Sequence, residues 1–215
     1  MARTRTWLVN ETIVRTAIVV VVGAIVSGLG SGSALAVGCD TITGNLVLNC
    51  GFETGDFTNW TKTDAAVGTD YGVNGNPHSG IHNAFFLGIG PVGVVNDDTI
   101  RQTLTTTPLS QYTVKFWLYN INNGQTPNND FNAFWDATPL LALVNANDFA
   151  YTEYTYTVTG LGTGSDVLKF AGRNVPGGFS LDDVSVTAAV PEPATLLLLG
   201  SGLAGLAAWR RRKTT

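Results

Sequence analysis

The sequence has few histidines, few basic residues outside its two ends, and none of the common hydrolase motifs. Its only histidines, His78 and His82, lie in a stretch rich in glycine, asparagine and proline, without the helix that an HExxH zinc site needs, and we expect both in a solvated loop. A GxSxG nucleophile elbow is also absent. Between residues 37 and 189, five basic residues stand against fourteen acidic ones, a net charge of −9. These shortages argue against a zinc hydrolase, a serine hydrolase and a protein that binds nucleic acid.

The N-terminal stretch has the three parts of an export signal. A leader with three arginines precedes the apolar run of residues 17–25, and Ala34-Leu35-Ala36 has the small-x-small form of a signal-peptidase site. We predict a signal peptide over residues 1–36, removed after Ala36. A transmembrane anchor is the weaker alternative, because glycines and serines dilute the run from residue 23 to residue 33.

The C-terminal stretch also has three parts in order. Val190-Pro191-Glu192-Pro193 comes first, the uncharged residues 194–209 follow, and Arg210-Arg211-Arg212-Lys213 closes the stretch. As a helix, the uncharged run would span about 24 Å, slightly less than a hydrocarbon core of about 30 Å. Pro193 is tolerated at the start of such a helix, and the basic cluster would stay on the cytoplasmic side.

This order resembles the PEP-CTERM sorting signal of exopolysaccharide-producing Gram-negative bacteria. The resemblance covers residues 190–215 and rests on Pro191, Glu192 and Pro193 and on Arg210, Arg211 and Arg212. It implies transient insertion of a transmembrane helix in the inner membrane, cleavage by an exosortase-type protease, and delivery to the cell envelope or the extracellular space. A plain tail anchor is the alternative; a GPI signal does not fit, because it lacks a basic end.

Residues 37–189 are predicted to form one all-β domain. The span is long enough to bury a core, and alternation of period two between turn signals predicts about nine short antiparallel strands. The predicted strands cover residues 45–48, 60–67, 84–87, 99–104, 112–120, 132–135, 140–144, 151–159, 167–172 and 179–187, and residues 71–80 are predicted to form a long loop. Short strands separated by turns in this way are typical of a β-sandwich.

Cys39 and Cys50 are the only cysteines. In an exported protein the simplest interpretation is one disulfide that closes a short loop and contributes up to about 3 kcal/mol. Two alternatives stay open. Residues 36–39 could form a lipoprotein box, although Ala36 stands where such boxes usually carry a larger aliphatic residue, or both thiols could be free.

Two motifs resemble the carbohydrate-binding jelly rolls of the galactose-binding-like superfamily. The first, N-L-x-x-N-x-G-F-E-x-G-x-F-x-x-W, runs from Asn45 to Trp60, and the second, L-D-D-V-S-V, runs from Leu181 to Val186. Residues 102–104, 116–118 and 132–136 also resemble strands of PEP-CTERM surface proteins, so the resemblance covers nearly the whole domain. It implies a jelly-roll sandwich whose first and last strands lie close together.

In that family, residues at the positions of Glu53, Asp182 and Asp183 often help to hold a structural calcium ion, which takes six to eight oxygen ligands. The resemblance therefore implies Ca²⁺ as a cofactor. Alternation with Val184 and Val186 predicts that Asp182 points inward and needs a partner. The alternative is that the three carboxylates accept backbone N–H groups at strand ends.

Sugar recognition needs flat apolar rings for the C–H face of the sugar and amides or carboxylates for its hydroxyl groups. Phe116 and Leu118 alternate with Trp117 and Tyr119, so one pair faces the core and the other faces away. We predict that Trp117, Tyr119, Asn120 and Trp135 line a ligand-binding surface.

The predicted function is non-catalytic binding of an exopolysaccharide or cell-surface glycan by an exported protein. The alternatives are a structural or adhesive matrix protein without a small-ligand site, and a glycan-active enzyme. A glycosidase would need two carboxylates that face each other across a cleft. The sequence leaves five candidates for that role: Asp97, Asp98, Asp130, Asp136 and Glu153.

Overall fold

The computed structural model describes residues 38–65, 68–88, 97–175 and 177–189. The predicted signal peptide and the residues from 190 onward lie outside these ranges. Among the described residues, no helix has the length and apolar character to cross a membrane. These residues form one short 3-10 helix (Cys39–Thr41) and ten strands. The strands are β1 (Thr61–Thr63), β2 (Tyr71–Asn74), β3 (Asn83–Phe86), β4 (Asp98–Thr105), β5 (Gln111–Ile121), β6 (Asn129–Trp135), β7 (Thr138–Val144), β8 (Phe149–Thr159), β9 (Ser165–Asn174) and β10 (Gly178–Ala188).

The strands form two five-stranded sheets. Sheet 1 has the order β1-β4-β9-β6-β7, and sheet 2 has the order β2-β3-β10-β5-β8. Every pairing is antiparallel. The prediction of an all-β jelly-roll sandwich is therefore confirmed.

The core lies between the inner faces of the two sheets. Phe116 and Leu118 of β5 point into it and are fully buried, as is Phe170 of β9. The rings of Phe116 and Phe170 meet edge to face at 5.1 Å between centroids, which joins the two sheets. Full burial of each such side chain contributes about 1.5–3 kcal/mol.

Three local predictions were wrong. Residues 45–48 are not a strand, because the Asn45 side chain accepts hydrogen bonds from the N–H groups of Val47 and Val186, and the Leu48 N–H donates to the Gln102 side chain. The predicted strand over residues 60–67 is limited to Thr61–Thr63 among its described residues. The predicted loop over residues 71–80 begins with β2.

The predicted disulfide between Cys39 and Cys50 is confirmed. The lipoprotein and free-thiol alternatives are not confirmed, because both sulfurs take part in the bridge. The two Cα atoms lie 6.0 Å apart, within the usual range for a bridge. Both half-cystines also contact β10: the Cys39 N–H donates to the Asp183 carboxylate, and the Cys50 carbonyl accepts from the Val184 N–H. The disulfide loop is thereby attached to the last strand, as the family resemblance of the two motifs implied.

A β-bulge in β10 reverses the predicted orientation of Asp182. The register between β10 and β5 shifts between Asp182 and Ser185, and Asp183 has a φ of 47°. Because of the extra residue, Leu181 and Val184 both point into the core, while Asp182 lies opposite Trp117 on the outer face of sheet 2. Asp182 is buried there, under the loop that follows β2.

Candidate functional site

The outer face of sheet 2 carries the exposed parts of the predicted aromatic pair. Trp117 and Tyr119 alternate with the buried Phe116 and Leu118 along β5, and both are half-buried. Tyr119 also contacts Tyr151 of β8, with 5.5 Å between ring centroids. Trp117 and Tyr119 are therefore the pair that faces away from the core, and their contact with a ligand stays a prediction.

A groove of about 270 Å³ lies at the Tyr119 end of this face. Its walls combine aromatic or aliphatic side chains with side-chain amides and two backbone glycines. The lining residues are Asn74, Asn76, Phe85, Leu87, Tyr119, Ile121, Asn123, Gly177, Gly178, Phe179 and Ser180. Gly178 approaches Leu87 so closely that a Cβ would lie 2.9 Å from the Leu87 Cδ2 atom. Apolar walls with a few amide groups are the composition that sugar binding requires.

The loop of residues 75–82 covers the other end of the face. The imidazole of His78 stacks on the Trp117 ring, with 3.8 Å between centroids and 12° between planes. The Tyr151 hydroxyl donates to the carbonyl oxygen of Asn76 at 2.7 Å. The expectation that both histidines lie in a solvated loop was wrong for His78, whose side chain covers Trp117 and is only 18% exposed.

Asp182 and Asp183 hold the first half of this loop. The Asp182 Oδ2 atom accepts the N–H groups of His78 and Ser79, at 2.8 and 3.1 Å. Asp183 accepts the Ser79 hydroxyl at one oxygen and contacts His78 Nδ1 at the other, both at 2.8 Å. The sequence carries no sign of this arrangement, because the acceptors and donors are separated by more than a hundred residues.

Glu53 holds the second half of the loop. Its Oε1 atom accepts the N–H groups of Ile81 and His82, at 3.0 and 3.1 Å. Gly80 has a φ of 68°, and its Cα lies so close to this carboxylate that a Cβ would collide with the Glu53 Oε1 atom. Glycine is therefore required at this turn for two reasons, its backbone conformation and the contact with Glu53.

The three carboxylates fit the hydrogen-bonding alternative better than a calcium shell. All six of their oxygens contact an N–H group, the Ser79 hydroxyl or the His78 ring. Among the described residues, Glu53, Asp182 and Asp183 do not bring their oxygens within 4.8 Å of one another; the group that does so is Cys39, Asp40 and Cys50, whose sulfurs form the disulfide. Calcium binding stays a prediction, and it would require the loop to give up several of these hydrogen bonds.

Burial dominates the electrostatics at Asp182. It raises the pKa of the Asp182 carboxyl to about 7; the Asp183 charge acts in the same direction, and the surrounding N–H donors oppose the rise. The backbone N–H groups of His78, Ser79 and Asp183 offset part of the free-energy cost of ionising this buried carboxyl. This is further support for a structural role in holding the loop.

Two predicted ligand-binding residues are not available to a ligand. Trp135 is 4% exposed, stacks on Tyr112 and donates its Nε1–H to the Thr159 carbonyl oxygen. Asn120 is 1% exposed and donates to the carbonyl oxygens of residues 146 and 147. Both side chains lie on the inner side of their sheets, because they share the parity of Phe131 and Leu118 respectively. Their assignment to the ligand-binding surface is therefore corrected.

The five candidate glycosidase carboxylates all have structural contacts. Asp98 accepts the N–H groups of residues 65 and 70, Asp136 accepts that of residue 167, and Glu153 pairs with Lys115 at 3.2 Å. Asp130 forms a buried ion pair with Arg173 at 3.1 Å. Asp97 accepts a hydrogen bond from the Asn132 side-chain amide at 3.5 Å, and burial and the Asp130 charge raise the pKa of Asp97 to about 7. These contacts explain the carboxylates without a reaction, and the absence of catalysis stays a prediction.

Comparison with known families decides the identity of the C-terminal stretch. Residues 189–213 match the family model of the PEP-CTERM protein-sorting motif. The chain ends in a PEP-CTERM sorting motif. This motif indicates export, processing by an exosortase-type system, and C-terminal sorting to the cell envelope or surface. No protein with curated annotation matches the sequence.

Solved structures similar to this chain include carbohydrate-binding modules and adhesin domains. TmCBM61, solved with beta-1,4-galactotriose, is 16% identical at a TM-score of 0.48 over 67% of this chain and 99% of its own. The CBM22-1 xylan-binding domain of Paenibacillus barcinonensis Xyn10C is 12% identical at 0.48, over 66% and 92%. The K1 cleaved adhesin domain of Lys-gingipain from Porphyromonas gingivalis is 18% identical at 0.45, over 65% and 96%. With TM-scores below 0.5, these likenesses carry no argument about a ligand.

Proposed function

We propose that residues 37–189 form a non-catalytic polysaccharide-binding domain of a surface or matrix protein in an exopolysaccharide-producing Gram-negative bacterium. The observation that supports this function most strongly is the groove on the outer face of sheet 2. There Tyr119 and Phe85 supply aromatic surface, while Asn74, Asn76 and Asn123 supply amides. The sorting motif supports delivery of the domain to a place where such polymers occur.

The proposed ligand-binding mode is stacking of a sugar ring near Tyr119, with hydroxyl groups directed to the amides. The Tyr119 ring is held from one side by Tyr151, so it is ordered before the ligand arrives. The Trp117 ring does not take part in this mode, because His78 already covers it. A volume of about 270 Å³ favours recognition of a few sugar units over a long stretch of polymer.

A structural or adhesive matrix protein without a small-ligand site is the second candidate. The burial of Trp135 and the stacking of His78 on Trp117 favour it, because both remove aromatic surface from solvent. Under this alternative the groove beside Tyr119 would be a surface irregularity without a ligand.

A glycan array on the exported protein tests the proposal, followed by calorimetric titration of the best ligand. We expect Tyr119→Ala to weaken binding by at least about tenfold, since the stacking ring is the central contact. Thr157→Ala is the matched control, because Thr157 is exposed on β8 of the same sheet and does not line the groove. An array without any bound glycan, or equal losses in the two variants, would favour the matrix protein instead.

A further inference from the structure

Two of the five basic residues between positions 37 and 189 lie directly opposite each other on the outer face of sheet 1. Arg101 of β4 pairs with Lys169 of β9 in the register of the sheet. Each lies between residues that point inward, so both side chains face outward. Like charges at directly opposite positions destabilise a sheet, and this juxtaposition occurs in a domain with only five cations.

Two of the other basic residues of the domain pair with carboxylates, and the third lies over an aromatic ring. Lys115 pairs with Glu153, Arg173 pairs with Asp130, and the Lys62 ammonium lies over the Tyr71 ring. In the described part of the chain, no carboxylate lies within 4.0 Å of the Arg101 or Lys169 charge. Fourteen acidic residues are available in the domain, yet none neutralises this pair.

The Lys169 side chain is held in place by an aromatic ring. Its ammonium lies 4.1 Å from the centroid of Phe134, which is its cross-strand partner on β6. Such a cation–π contact restrains a side chain that is flexible elsewhere and leaves the remaining N–H donors available. Arg101, Lys169 and Phe134 therefore form a row across three neighbouring strands, which we name the cationic row.

A groove of about 420 Å³ lies beside the Arg101 end of the cationic row, and neither Arg101 nor Lys169 lines it. Thr61, which lies opposite Arg101 on β1, lines this groove together with Thr103 of β4. The remaining lining residues are Leu46, Leu48, Asn59, Gln102, Leu104 and Thr105. The threonine hydroxyl groups and the Asn59 amide suit sugar hydroxyl groups, and the exposed Leu48 side chain suits sugar C–H groups, whereas the Gln102 amide is already bonded to the Leu48 backbone. The guanidinium at the end of the row suits a carboxylate.

We propose that the cationic row and its groove bind an acidic polysaccharide whose sugar units carry carboxylate groups. Arg101 is the residue that forms paired hydrogen bonds with a carboxylate, and Lys169 is a second positive charge that Phe134 positions. This site lies on the sheet opposite to the groove at Tyr119, so it adds a ligand class to the proposed function and does not depend on that groove. The net charge of −9 disfavours non-specific attraction of polyanions, which leaves the local row as the recognition element.

The test of the proposal is binding of the full chain to polygalacturonate at roughly 50 mM salt, where screening of charges is weak. Neutral galactan and polyglutamate are the comparison polymers. We expect the full chain to bind polygalacturonate more tightly than either comparison polymer. The double variant Arg101→Gln with Lys169→Gln should lose at least about tenfold in affinity, since each charged hydrogen bond contributes more than a neutral one. Lys115→Gln is the matched control, because it removes one positive charge from sheet 2 and should change the affinity less than twofold.

Stability supplies a second readout that a purely structural role would not give. Arg101→Gln removes a like-charge pair and should leave Tm unchanged or raise it, while it weakens binding. A lower Tm in Arg101→Gln, equal losses in Lys115→Gln, or equally tight binding of polyglutamate would each overturn the proposal. Tyr119→Ala should leave polygalacturonate binding intact, so failure of the groove on sheet 2 and failure of the cationic row are distinguishable.

Discussion

Replacing Glu53 by glutamine tests whether hydrogen bonds or a metal ion hold the loop of residues 75–82. The substitution keeps one oxygen that can accept a hydrogen bond but removes the charge that strengthens the bonds to Ile81 and His82. A hydrogen bond to a charged group contributes about 1.5–3 kcal/mol and a neutral one about 0.5–1.5 kcal/mol, so we expect a loss of about 1–2 kcal/mol. For a domain of this size, that loss lowers Tm by roughly 2–8 °C.

The assay is thermal unfolding of the wild type and Glu53→Gln, each with EDTA and with excess Ca²⁺. If hydrogen bonds alone hold the loop, Glu53→Gln unfolds at a lower temperature by the same amount in both conditions. If the carboxylates hold calcium, the wild type gains stability with Ca²⁺, by roughly 2.7 kcal/mol at a hundredfold excess over Kd, and the variant does not. The hydrogen bonds seen at all six oxygens lead us to expect the first result.

A control variant separates the loop from the rest of the domain. Thr54→Ala changes an exposed neighbour of Glu53 whose side chain contacts Asp56 and not the loop of residues 75–82. It should change Tm by less than the Glu53 substitution does. A calcium-dependent Tm in the wild type that is lost in Glu53→Gln would refute the hydrogen-bonding explanation and restore the metal site.

Three further predictions follow from the described contacts. Replacing Cys39 and Cys50 together by alanine should cost about 3 kcal/mol, measured by urea unfolding, because an open chain replaces a short closed loop. Trp135→Ala should cost about 3–5 kcal/mol, since it empties a buried site; a smaller loss than in Trp117→Ala would contradict its burial. The pKa of Asp97 is raised from near 3.9 in the unfolded chain to about 7 in the folded state. The contribution of this carboxyl to stability is therefore largest below pH 4 and is lost as the pH rises through 7. Urea midpoints measured at several pH values should show this fall in stability in the wild type and a weaker fall in Asp97→Asn.

The alternation of side chains made most of sheet 2 predictable. Along β5, buried and half-buried residues alternate without interruption from Tyr112 to Ile121, as the sequence pattern indicates. The same rule failed in β10, where one extra residue at Asp183 puts Asp182 on the outer face and not in the core. A bulge leaves no local signal in the sequence, since the partner strand decides where the register shifts.

The candidate site was less predictable than the fold because long-range contacts define it. Sequence spacing alone gave no reason to place His78 on Trp117, since the two residues are 39 positions apart and come from a loop and a strand. Asn120 and Trp135 were predicted as ligand-binding residues from their residue type alone. In the sheets, each lies on the same side of its strand as a core residue and therefore points inward. The family resemblance implied that Glu53, Asp182 and Asp183 lie close enough to share a calcium ion, but it did not imply that they accept hydrogen bonds from the loop of residues 75–82.

The last strand also determines how the domain would respond to mechanical tension. β10 lies at the centre of sheet 2, with β3 on one side and β5 on the other, and it ends at Ala188, next to the sorting motif that begins at residue 189. A pull on that motif would act along the strand axis and would load the hydrogen bonds to both neighbours in parallel, so that many must break together. The Asp183 contacts with Cys39 and Ser79 would transmit part of the load to the disulfide loop and to the loop of residues 75–82.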